Sequence, residues 1–230
     1  MKILFSDYDG TLKNYIKNPN ILEKYIFNLN LKAIDKFMEN GNKFIITTGR
    51  NTESILDSCQ RNKVNYHYIT AYDGKVTLSN EGKVIYAKYI NKKILDLIDF
   101  YNIGDIIGSY GVIGNTKNEN EIIYLVIKTY GDVTYKINQL RLMFKDFDFN
   151  YYKLLNRLTI YYSFDKKMGI DELVRLLNLK GEIYTVGDGA NDKTMLEAYN
   201  GYKMLISYPS LFKVNCKITT SIHSLIKKIN

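Results

Sequence analysis

The sequence is poor in the residues from which disulfide frameworks and zinc sites are built: 230 residues hold two cysteines and two histidines. Cys59 and Cys216 form no CxxC and have no histidine at metal-ligand spacing, which argues against a disulfide scaffold and a structural zinc. His67 and His223 lack the partner pattern of a serine or cysteine triad and read as incidental. No stretch approaches the roughly 18 uninterrupted apolar residues of a membrane span, and there is no low-complexity segment. The apolar run Ile3 to Phe5 is too short for a signal peptide, and acid follows at once. A cytoplasmic protein with no membrane partner is the expectation. The net charge of +8 comes without basic clusters: no run exceeds pairs such as Lys166-Lys167 or Lys227-Lys228, and no nucleic-acid motif accompanies them. The charge reads as a solvated surface that favours small anionic substrates over nucleic acid.

What the chain does have is Asp7-Tyr8-Asp9-Gly10-Thr11-Leu12 directly after the apolar Ile3-Leu4-Phe5-Ser6. This pattern reads as a buried strand delivering acid to its carboxyl end, the edge at which open α/β sheets bind ligands. Alternate residues of an extended strand point the same way, so Asp7 and Asp9 can face one small volume. Two like charges that close repel unless a cation joins them or one takes a proton.

Two further runs share the style of the first, Lys43 to Thr47 and Glu182 to Val186: short, β-branched, and followed by glycine and polar residues, as in buried parallel strands. Helical patterns lie beside them over 31–40, stopping at Gly41, over 52–61 and over 168–177, the last with Ile170, Leu173, Val174 and Leu177 on one face. This alternation predicts a doubly wound parallel sheet. The middle differs. Residues 75–79 and 83–88 flank Asn80-Glu81-Gly82 as a hairpin. A helix over 92–101, strands over 106–113 and 121–129, a helix over 134–144 and strands over 150–155 and 157–164 then follow. Helix-strand-strand repeated twice is an α+β unit. The expected organisation is an α/β core of residues 1–83 and 163–230 with an inserted domain at 84–162.

Four polar segments fall at core strand ends or helix starts: Asp7/Asp9; Thr47-Thr48-Gly49-Arg50; Lys166-Lys167; and Gly187-Asp188-Gly189-Ala190-Asn191-Asp192. Glycine-rich turns and helix N-termini hold phosphate by their N–H groups, and the glycines of the last segment permit the turn that brings Asp188 to the other acids. A calcium loop fails on spacing, since no glutamate stands where a twelve-residue loop requires it.

In this order the four segments resemble the four motifs of the haloacid dehalogenase superfamily of phosphohydrolases. Ile69 to Val76, with Asp73-Gly74, resembles the segment preceding the cap of its Cof-type branch. The resemblance implies a Rossmann-like core with an inserted C2B-type α+β cap, magnesium dependence and phosphomonoester hydrolysis through an aspartyl-phosphate. It implies Asp7 as nucleophile and Asp9 as general acid and base. It assigns magnesium to Asp7, the Asp9 carbonyl and Asp188. Phosphate would be held by Thr48, Gly49, a lysine and Asn191, with Asp192 supporting the metal ligands. Arg50 and Asp73 are candidate substrate contacts. The lysine is Lys166 or Lys167; neither is followed by the family's usual glycine, and the apolar spacing after it favours Lys166. The chain also departs from the family at Asp73, usually asparagine, and at Ser207-Tyr208-Pro209.

The expected substrate is a small phosphorylated metabolite, a sugar phosphate or similar ester, handled by a monomer or weak homodimer. The alternatives are a phosphomannomutase-like phosphomutase of the same superfamily and a non-catalytic phospholigand-binding protein. Intact Asp7, Asp9 and Asp188 speak against the second of these.

Overall fold

The computed structural model describes residues 1–13, 20–205 and 213–230; Ser207, Tyr208 and Pro209 lie outside the described residues. The chain divides into two compact units, one of Met1–Arg50, Ser54–Tyr86 and Asp165–Asn230, the other of Asn51–Glu53 and Ala87–Phe164.

The first unit begins with β1 (Lys2–Ser6), α1 (Ile21–Glu39), β2 (Lys43–Thr47), α2 (Thr52–Asn62), β3 (Tyr68–Ala71), β4 (Val76–Ser79) and β5 (Val84–Ala87). β1 carries no polar alternation because both of its faces are covered. Leu4 joins Phe37, Phe44 and Ile46 on one side, and Ile3 and Phe5 join Ile45, Ile170 and Leu173 on the other. α1 starts ten residues earlier than the apolar pattern predicts. Asn20 and Glu23 form a reciprocal capping box there, and the added turns expose Ile21, Leu22 and Tyr25, which breaks the hydrophobic stripe. Gly41, just past the helix, takes φ +77° and donates to the Met38 carbonyl.

The second unit holds α3 (Lys92–Phe100), β6 (Gly104–Tyr110), β7 (Tyr124–Thr129), α4 (Thr134–Met143), β8 (Phe147–Tyr152) and β9 (Arg157–Tyr162). Its four strands form an antiparallel sheet in the order β6-β7-β9-β8. Leu125, Ile127, Leu158 and Ile160 pack with Ile94, Ile98, Ile137 and Leu140 of the two helices. The predicted strands over 106–113 and 150–155 lie two or three residues too far along the chain, and the one over 121–129 ends correctly but starts three residues early. After β8, residues 153–155 form a 3₁₀ turn closed by Asn156 at φ +44°, a left-handed position that reverses the chain and ends the strand.

The chain then returns with α5 (Lys166–Leu176), β10 (Glu182–Gly187), α6 (Lys193–Ala198), β11 (Asn200–Met204), β12 (Lys217–Thr219) and α7 (Ile222–Ile229). The strand order β12-β11-β10-β1-β2-β3-β4-β5 puts β1 inside the sheet, with the chain winding outward from it in both directions. β1 pairs in parallel with β10 and β2, and β4 is antiparallel to β3. The strand order reverses between β1 and β10, the crevice where doubly wound sheets place ligands. No helix among the described residues is long and apolar enough to cross a membrane.

One backbone contact fixes where α5 begins. Gly74, at φ +96°, packs so closely on Gly169 of α5 that a Cβ on Gly169 would lie 2.5 Å from the Gly74 Cα. The Tyr86 hydroxyl lies 2.6 and 3.1 Å from the carbonyl oxygens of these glycines. A glycine inside a helix costs about 1 kcal/mol relative to alanine, a cost this contact requires. Gly169→Ala is therefore expected to lower unfolding stability by about 2 kcal/mol or more. Gly41→Ala, with open space around its Cβ position, should cost about 1 kcal/mol from its backbone alone. Urea unfolding measures both; equal losses would contradict the close contact.

Candidate functional site

The carboxyl ends of β1 and β10 deliver the acids. In the parallel register Ser6 stands beside Val186, and the Asp7 amide donates to the Val186 carbonyl at 2.9 Å. Asp7 and Asp188 therefore leave adjacent strands on either side of the reversal point. Both are buried, and so is Asp192. Carboxylate oxygens of these three residues lie within 4.8 Å of one another.

Lys166, the first residue of α5, enters this cluster. Its side chain is wholly buried, and Nζ donates to Asp7 Oδ1 and Asp192 Oδ1 at 2.6 Å each. Lys167 instead lies on the surface and pairs with Asp171. Asp192 also accepts from the amides of Asp188 at 3.0 Å and Gly189 at 2.8 Å, which curls the loop after β10. Thr11, to which the sequence assigns no role, donates its hydroxyl to Asp188 Oδ1 at 2.7 Å. Its place inside the acidic hexapeptide was the available signal.

The charges do not balance. With every group ionised, three buried carboxylates would face one ammonium, and 3 − 1 leaves two negative charges. Burial pushes the Asp7 carboxyl well above the ordinary carboxylate range, against the pull of Lys166 and with a further push from Asp192. Asp188 is also raised, first by burial, against the Thr11 hydrogen bond. Burial disfavours the Lys166 charge, but Asp7 and Asp192 outweigh it and hold the ammonium above its usual range. A surplus of two charges on hard oxygen donors fits one divalent cation of the magnesium or calcium type. Asp7 and Asp188, with the neighbouring backbone, are the residues able to hold it.

Asp9 stands apart from this cluster. Its carboxylate takes a two-pronged ion pair from Arg50, Nε to Oδ2 and Nη2 to Oδ1, both at 2.5 Å. This hydrogen bonding raises the Arg50 pKa further. The sequence makes Arg50 a candidate substrate contact, and in the structure its guanidinium lies on Asp9.

The turn after β2 completes the rim. Thr48 is buried and its Oγ1 accepts from the Arg50 amide at 3.2 Å. Gly49 is exposed beside it. Tyr72, Asp73 and Gly74 all have left-handed φ, and the Asp73 amide donates to the Thr48 carbonyl at 3.0 Å. Asp73 in turn accepts from the exposed Asn191 amide at 3.0 Å, joining the turn after β2 to the loop after β10. A cavity of about 320 Å³ opens between these groups, lined by Asp7, Asp9, Thr48, Arg50, Asp188 and Asn191 among others. It is large enough for a phosphoryl group with a cation.

Residues 4–105 match the family described as haloacid dehalogenase-like hydrolase. Among curated proteins none matches. Among solved structures, Thermotoga maritima TM0651 is similar at 18% identity and a TM-score of 0.70, covering 99% of this chain and 97% of that one. BT1666 of Bacteroides thetaiotaomicron, from a study of haloalkanoate-superfamily phosphatases, is similar at 19% identity and TM-score 0.67, covering 100% and 94%. The subclass IIB sugar phosphatase BT4131 is similar at 17% identity and TM-score 0.59, covering 100% and 98%. At these identities the likeness is one of fold.

The surplus charge has a measurable consequence. A carboxyl whose pKa is higher folded than unfolded keeps a proton that the unfolded chain releases, so stability falls as pH rises through that interval. Without a divalent cation the chain is expected to lose stability as pH rises above the ordinary carboxylate value of 3.8. Saturating magnesium chloride should remove that decline. It should raise Tm by about 5 °C near neutrality at about a hundredfold excess over Kd, and by less near pH 5. Thermal melts at both pH values test this; the same magnesium shift at both would contradict it.

Proposed function

We propose that this chain, whose residues 4–105 match the haloacid dehalogenase-like hydrolases and whose fold is similar to that of TM0651, is a magnesium-dependent phosphatase of small phosphorylated metabolites. The observation that carries the proposal is the buried Asp7 carboxylate, held by Lys166 at the strand-order reversal with a surplus of two negative charges around it.

Asp7 attacks phosphorus and the ester oxygen leaves, so the phosphoryl group passes to the Asp7 carboxylate. Lys166 fixes the attacking carboxylate through Oδ1, so it reacts from one orientation. Asp9, once it has taken a proton from solvent, gives it to the departing oxygen and then takes one from the water that attacks the aspartyl-phosphate. Thr48, Gly49, Lys166 and Asn191 hold the phosphoryl oxygens and offset their charge. Asp7, the Asp9 carbonyl and Asp188 would hold the magnesium, which would supply positive charge beside the phosphoryl oxygens and the acids. Asp192 keeps Lys166 and the loop after β10 in place.

The inserted α+β domain, placed at 84–162 by the sequence and compact over Ala87–Phe164, corresponds on this reading to the family's cap domain, on which substrate choice depends. A sugar phosphate or similar ester is the favoured substrate; the fold likeness to a sugar phosphatase and the net charge of +8 support it. The protein acts in the cytoplasm as a monomer or weak homodimer, with no nucleic-acid or membrane partner.

Phosphate release from a panel of sugar phosphates and small phosphate esters, with and without magnesium, tests this reading. The wild type is expected to turn over in magnesium and to stop when the metal is chelated. Asp7→Asn should lower kcat by about 10⁴-fold or more. Absence of turnover across the panel, or full activity in Asp7→Asn, would overturn the proposal. Dependence on a sugar bisphosphate would move the chain to the phosphomutases.

A further inference from the structure

We propose that Arg50 is a positioning residue for Asp9, fixing the direction from which the carboxyl meets the leaving-group oxygen; this rests on the phosphatase reading above. The guanidinium spends its fork on Asp9, with Nε and Nη2 each 2.5 Å from a different carboxylate oxygen. Its remaining terminal nitrogen is anchored on α2, Nη1 lying 3.1 Å from Ser58 Oγ. The guanidinium carbon stands 5.2 Å from the Tyr8 ring centroid. That ring is held in turn, its hydroxyl reaching the Ser58 carbonyl at 3.4 Å and accepting from Asn62 at 3.2 Å. The Arg50 backbone is fixed as well, its amide on Thr48 Oγ1 and its carbonyl accepting from the Tyr72 amide at 2.8 Å.

Such an arginine does more than balance charge. Two parallel N–H donors set the plane of a carboxylate, which one ammonium cannot do. The Arg50 and Asp9 side chains are only 30% and 25% exposed, so water competes little for the fork. To deliver a proton, Asp9 must first take one from solvent on an oxygen released from the fork and then turn that oxygen to the leaving group. One hydrogen bond to Arg50 is then exchanged while the other keeps the carboxyl plane. The Asp9 O–H bond breaks, its proton goes to the leaving oxygen as the P–O bond breaks, and the carboxylate returns to the fork. It is then ready to take a proton from water.

The test uses leaving groups that need a proton to different degrees. A hexose 6-phosphate releases a poor alkoxide, and acetyl phosphate releases a stable carboxylate. Arg50→Ala is expected to lower kcat about 10- to 100-fold on hexose 6-phosphate and by less than about threefold on acetyl phosphate. Arg50→Lys should fall between, and added guanidinium ion should partly restore the alanine variant on the hexose ester. Should Arg50→Ala fail to fold, Ser58→Ala, which removes one anchor, should show a smaller loss with the same leaving-group dependence. Equal losses on both esters, or a change in KM alone, would overturn the inference in favour of a direct substrate contact. A wild type that hydrolyses neither ester would instead overturn the phosphatase reading.

Discussion

The ammonium of Lys166, wholly buried between Asp7 and Asp192, is the interaction on which the carboxyl edge of the sheet depends. A lysine is among the residues least often found fully buried, because desolvating its charge is expensive without a partner. Here two partners hold it, and Asp192 is itself engaged by the amides of Asp188 and Gly189. The lysine therefore ties α5 to the ends of β1 and β10 at once. The pair of contacts still leaves the acids in excess, which suits the cluster to a cation.

The packing serves the same end. α5 can begin where it does because Gly169 lets its backbone approach Gly74, and Asp165 caps the helix by accepting from the Met168 amide at 2.8 Å. The first helical residue is then Lys166, its stem buried and its head among the acids. On the other side, left-handed Tyr72 and Asp73 turn the chain after β3 so that their amides reach the carbonyls of Arg50 and Thr48. Backbone strain of this kind costs of order 1 kcal/mol per residue, and here it holds the turn after β2 against the loop after β10. The two acids of the opening hexapeptide end in different surroundings: Asp7 is buried on a lysine, and Asp9 is part-exposed on an arginine.

Much of this was legible in the sequence, and what was legible was local. Asp7, Asp188 and Lys166 each directly adjoin a strand or helix whose apolar pattern is plain, so their place at a strand end or helix start followed from neighbours within a few residues. The pairs that cross the sheet were not legible. Asp9 with Arg50, Thr11 with Asp188 and Asn191 with Asp73 depend on which strand ends adjoin, and that is set by strand order and register. Fold errors have a different origin, in local patterns too weak to mark an element's ends. The first half of α1 exposes apolar residues and is marked mainly by its cap, β8 has half-exposed flanks that blur its ends, and the short β3, β11 and β12 offered too few residues for a pattern. Helix-strand-strand repetition in the middle survived these shifts because element type is more robust than element boundary.

The most direct test of the account is to find where the phosphoryl group goes. Enzyme mixed with a hexose phosphate and magnesium, quenched in acid, reduced with borohydride and digested, should contain homoserine at position 7, the reduction product of an aspartyl-phosphate. Homoserine at another aspartate, or phosphate release with no reducible acyl-phosphate at any residue, would contradict the central claim that Asp7 bonds to phosphorus.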